Sequence, residues 1–209
     1  MLLLVGLLLA LPVQAATWQD FQPCEPLDPR FKSSDINDPA TAGLLQTVES
    51  NHFTPQVERL EKGTTAPLPR DIAFVLRYIP NHYRALNAMA RWQLNHKLPT
   101  DPEALVWTAD CYFQRAIAFV PSDSQVHFVY AVYLHKAKRL AEAQKQYTEA
   151  ADLSEPTAEL YYNRGLLEVD LGNLDAAEKY ADSAYELGYP LHGLRDKLAR
   201  ARAKQPNPH

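Results

Sequence analysis

Residues 124–156 and 158–190 repeat one another. SQVHFVYAVYLHKAKRLAEAQKQYTEAADLSEP, from Ser124, lies over AELYYNRGLLEVDLGNLDAAEKYADSAYELGYP, from Ala158, at an offset of 34 residues. Each copy reads as two amphipathic helices, meeting at Leu171-Gly172-Asn173 in the second. Small residues recur in register: Ala131 with Gly165, Ala143 with Ala177, Ala150 with Ala184. Placed among large apolar side chains, they imply that helix backbones come close together. One such hairpin cannot bury its own apolar face, so copies must stack, and about three are needed.

An earlier copy carries an insertion. Pro121 closes it, Ala109, Phe113 and Ala116 fall on its second helix, and Tyr83 to Asn95 form its first, with Met89-Ala90 at the small position. Tyr83 and Ser124 are 41 residues apart, and the surplus falls around KLPTDPEA, where Asp101 is expected to cap a helix that opens on Pro102. This period, with alanine or glycine at the eighth, twentieth and twenty-seventh positions, resembles the tetratricopeptide repeat over roughly residues 83–203. The match is diluted: the closing proline is displaced by one residue, to Pro156 and Pro190. The usual tryptophan position holds His127 and Tyr161. The segment from Val48 to Trp92 also looks like the front of a group of exported bacterial tetratricopeptide proteins, a group that brings no activity with it.

The resemblance implies an all-α, helical-hairpin solenoid with units at 81–123, 124–157 and 158–191 and a capping helix at 192–204, whose apolar side is Leu194 and Leu198. It also implies a protein-binding concave face, lined by the first helix of each unit. Its exposed positions fall on Arg84, Asn87, Arg91, Leu94 and Asn95 in the first unit. In the second they are Gln125, Phe128, Val132, His135 and Lys136. In the third they are Glu159, Tyr162, Leu166, Val169 and Asp170. Such a strip, apolar in the middle, basic toward the first unit and acidic toward the third, suits a peptide or partner protein. The alternative is a self-associating structural protein whose groove is filled by its own arm, where Trp18, Phe21 and Phe31 need burial.

The front of the chain is built differently. MLLLVGLLLALPVQAATW has an unbroken apolar run from Leu2 to Leu11 and a small-x-small pattern ending near Ala15 or Ala16. It reads as a signal peptide over 1–16, shorter than the roughly 17–25 residues of a spanning helix. Export, most simply to a periplasm, follows, with membrane contact only through that segment. An oxidising compartment favours a bridge between the two cysteines, Cys24 and Cys111. Pro23, Pro26, Pro29 and Pro39 make 17–40 an extended arm. A helical extension over 41–80 follows: a helix from Thr41 to Val48, a short one from Pro55 to Glu61, a loop at KGTTAPLPR, and a helix from Asp71, its expected cap, to Ile79.

No motif for catalysis stands out. The formal charge of −4 argues against a nucleic-acid partner. His52, His82, His96, His127, His135, His192 and His209 show no zinc spacing, and Glu168 and Asp170, two apart, point to different sides of a helix. There is no G-x-S-x-G, P-loop or G-x-G-x-x-G. The expectation is a non-enzymatic interaction module without metal or cofactor.

Overall fold

The computed structural model describes residues 32–96 and 106–204. Those residues are all-helical, with ten α-helices packed in adjacent pairs. The expected signal segment, most of the arm, Cys24, Asp101 and Pro102 lie outside the described residues.

Residues 32–38 have no regular structure. Asp38 then accepts the Ala40 N–H at 2.9 Å and caps a 3₁₀ turn, Pro39–Thr41. Pro39, expected to prevent a helix, opens this turn, because a missing N–H costs nothing at a first position. Asn81, fully buried, ties down the end of the arm. Its carbonyl accepts the Ile36 N–H at 3.1 Å, and its amide donates to Asp35 at 2.7 Å and Asp123 at 2.8 Å.

Helices α1 (Ala42–His52), α2 (Pro55–Glu58) and α3 (Leu68–Tyr78) form the extension. Asp71 is not the cap of α3, which begins three residues earlier, at Leu68. It lies inside the first turn, fully buried, and fastens the preceding loop. Its carboxylate accepts the Thr64 N–H at 2.6 Å, the Thr65 N–H at 3.0 Å and the Thr65 hydroxyl at 2.5 Å, and lies 3.0 Å from His52 Nδ1. An acidic residue after a proline-rich loop has two uses, and tertiary burial selected the loop.

The rest of the chain is α4 (Tyr83–His96), α5 (Ala109–Phe119), α6 (Ser124–Lys136), α7 (Leu140–Leu153), α8 (Ala158–Leu171), α9 (Leu174–Glu186) and α10 (Gly193–Arg202). Helices α6 and α8 start 34 residues apart, as do α7 and α9, so the sequence repeat is a repeat of hairpins. Helices α4, α6 and α8 lie side by side, with α10 continuing the layer beyond α8.

The small residues mark close approaches. Ala131, Ala143, Ala150, Ala177 and Ala184 are all at most 1% exposed. At Gly165 a Cβ atom would stand 2.5 Å from Leu194 Cδ2, on α10, and 3.4 Å from the Ala177 carbonyl oxygen, on α9. Helix α9 therefore passes over Gly165 as expected, and α10 packs against the same point more tightly.

Helices α4 and α5 pack more sparsely than the later hairpins. Gln93 joins them: its amide donates to the Trp107 carbonyl at 2.6 Å and its carbonyl accepts the Ala109 N–H at 2.5 Å. Cys111, on α5, is 2% exposed and is not a free thiol.

The hairpin turns differ in one respect. Gly172 ends α8 with φ 83°, and Lys138, its counterpart one repeat earlier, has φ 64°. A side chain in the left-handed region is strained, by about 1 kcal/mol. Lys138 is 76% exposed and lies only within 3.8 Å of Asp170, so little is lost with it. Lys138→Gly should raise stability by about 1 kcal/mol, read as a higher denaturant midpoint with unchanged m-value. No change would mean the strain is relieved elsewhere.

Candidate functional site

The residues expected on a concave face divide into three groups, because other parts of the chain cover those at both ends of the expected strip. At the first end Arg84 turns onto the helical extension. Its Nε and Nη2 donate to Glu58 at 2.8 and 2.5 Å, and its Nη1 donates to Glu49 at 3.0 Å. The guanidinium lies 5.5 Å from the Phe53 ring centre. The hydrogen bonds from Arg84 hold the Glu58 carboxyl below its ordinary range. Arg91 donates to the Glu58 carbonyl oxygen at 3.3 Å, and Asn87 between them is half-buried. These basic residues, expected to face a partner, hold α1 and α2 against α4.

At the other end α10 lies over α8. Tyr162 and Val169, expected at exposed positions, are 8% and 9% exposed. Tyr162 stacks on Tyr189 with ring centres 4.3 Å apart, and Lys197 donates to the Leu166 carbonyl at 3.3 Å. Asp170 sits 2.6 Å from Lys197 Nζ and 2.9 Å from His135 Nε2. Burial works against its charge, but the hydrogen bonds from Lys197 and His135 outweigh it and keep its pKa low. His135 and Asp170 therefore pair across the α6–α8 seam. Val132, half-buried, packs against the core.

Between these ends lies an open cleft. Gln125 and Glu159 are exposed and Phe128 is half-buried, and all three line a cleft of about 290 Å³. Two caps set its edge. Asp123 accepts the Gln125 and Val126 N–H groups at 3.1 and 3.2 Å to start α6, and Thr157 accepts the Leu160 N–H at 3.2 Å to start α8. Ala150, Ser154 and Glu155 line it as well, and Tyr189 joins them from the α9–α10 turn. Beside Phe128, with ring centres 6.2 Å apart, Tyr147 buries a hydroxyl without a hydrogen-bond partner.

Sequence reasoning missed Tyr189 and Glu155, which belong to turns rather than to first helices. No repeat position marks them; the one irregularity nearby is the closing proline, shifted by one residue to Pro156 and Pro190 within an unchanged 34-residue period.

No protein-family model and no curated protein matches the chain. Among the described residues no group of three or more histidine, cysteine, aspartate or glutamate side chains is placed to hold a metal ion.

Two histidines, His82 buried and His135 half-buried, give the fold a pH dependence. Fully buried His82 caps α4: its Nδ1 accepts the Ala85 N–H at 3.1 Å, leaving Nε2–H to donate to Glu49 at 3.0 Å. Burial pushes its pKa below 6.5, against the pull of Glu49, and nearby Arg84 pushes the same way. His135 is lowered by burial too, against the pull of Asp170. Unfolded histidines take up protons as pH falls through about 6.5, while these stay neutral, so acid favours the unfolded chain. Stability should hold above that pH and fall as pH drops below it, by at most about 1.4 kcal/mol per pH unit for each histidine. Denaturant midpoints at pH 7.5 and 5.5 check this, and equal midpoints would contradict it.

Proposed function

We propose that this chain is a non-enzymatic docking protein of the tetratricopeptide kind, exported to the cell envelope, that holds a segment of a partner protein in the cleft between α6 and α8. The observation that carries the reading is that Gln125, Phe128 and Glu159 converge on one open cleft while the chain fills both ends of the same groove. The 34-residue repeat of hairpins supports the tetratricopeptide comparison. The apolar N-terminus is the support for export. A bridge between Cys24 and Cys111 belongs to this reading, because the chain has two cysteines and Cys111 is not free. Thiol titration of the denatured, unreduced chain should find no reactive cysteine, and two would contradict the bridge.

The test is a steric block. Gln125 is exposed, so Gln125→Trp fills the cleft without touching the core. Affinity purification of the tagged chain from its native compartment should retain a protein that the variant loses. The same proteins retained by both would contradict the reading. Self-association as a structural envelope protein, its groove filled by its own N-terminal arm, is the second reading, with the burial that Trp18, Phe21 and Phe31 need as its support. It would show as concentration-dependent mass.

A further inference from the structure

Resting on that reading, the geometry points to the chemistry of the partner: we propose that the cleft takes an extended protein segment presenting a lysine or arginine flanked by aliphatic residues. Both charged residues that line the cleft, Glu155 and Glu159, are acids. Neither is ion-paired among the described residues, whereas Arg84, Arg139, Lys197 and Arg202 each hold a carboxylate. The positive ends of α6 and α8 both open at the cleft, but their two half charges together are smaller than two full carboxylates. The ring of Phe128 and that of Tyr189, held by its stack on Tyr162, add the aromatic surface a desolvated cation favours.

The rim supplies the aliphatic half of the argument. Four large hydrophobic residues are exposed among the described residues: Tyr83, Leu153, Leu187 and Leu191. Leu153 adjoins Ser154 of the cleft wall, and Leu187 and Leu191 stand two residues on either side of Tyr189. Three of the four are thus chain neighbours of residues that line the acidic cleft, which is the support for aliphatic flanks on the bound segment.

Selection of phage-displayed random dodecapeptides on the intact chain tests this. Enriched peptides should carry lysine or arginine beside leucine, isoleucine or phenylalanine. A synthetic copy of the leading peptide should bind about tenfold more weakly to the Glu155→Gln, Glu159→Gln variant. Both glutamates are exposed, so the variant's melting temperature should not change. Peptides without cations that still lose binding to Gln125→Trp would leave the docking reading standing and overturn the cationic partner. Peptides insensitive to every cleft substitution, or no enrichment, would overturn both. Concentration-dependent mass of the chain alone, abolished by the glutamine variant, would put a second copy in the cleft and overturn a foreign partner.

Discussion

Asp71→Ala should destabilise the chain by about 3 kcal/mol, because it removes an ionised acceptor and leaves buried donors unmet. Burial opposes the charge of this carboxylate, but hydrogen bonds from Thr65, His52 and the backbone N–H groups of Thr64 and Thr65 outweigh it, so it ionises below the usual range. Without it the Thr64 and Thr65 N–H groups have no acceptor, and the 62–67 loop is released from α3. His52, stacked on Phe74 with ring centres 3.8 Å apart, loses its partner as well. Asp71→Asn should recover part of the loss, since one oxygen still accepts. Urea midpoints of the three chains decide it, and an alanine variant as stable as the parent would mean the loop contributes nothing to the fold.

Gly165→Val should destabilise by about 2 kcal/mol and loosen α10 before the rest of the chain. Even one carbon at this position stands 2.5 Å from Leu194, which is fully buried and cannot swing into solvent. Branching adds volume to a packed core, and such overpacking typically costs about 1–3 kcal/mol. The better helix propensity of valine returns only a few tenths. Amide exchange should show residues 193–202 losing protection first, with α4 unaffected. Equal protection throughout would mean that α10 does not depend on this contact.

The hairpin layout was legible because its cause is local. Backbone approach at residue 165 or 177 admits only a small side chain, so packing writes the 34-residue period directly into the chain. What covers a face is a different kind of information. The register places Arg84 and Tyr162 on the concave side, but nothing near them in sequence says that Glu58 and α10 lie over them. Those contacts join residues 26 and more apart. The role of Asp71 is hidden for a different reason: its donors Thr64 and Thr65 stand only seven and six residues before it, but an acid at this place can cap a helix or hold a loop, and the local sequence does not choose between them. Of the expected groove, the starts of the second and third units remain open, and the added wall comes from turns that have no repeat position of their own.

The central claim is that a foreign protein docks only in the stretch of groove left open. A photocrosslinking amino acid placed one position at a time at Gln125, Glu159 and Tyr189, and separately at Arg84, Arg91 and Tyr162, tests it most directly in living cells. One dominant foreign protein should be captured from Gln125, Glu159 and Tyr189, and adducts only within the chain from the other three. Foreign adducts spread evenly over all six positions, or intrachain adducts alone from Gln125, Glu159 and Tyr189, would contradict it.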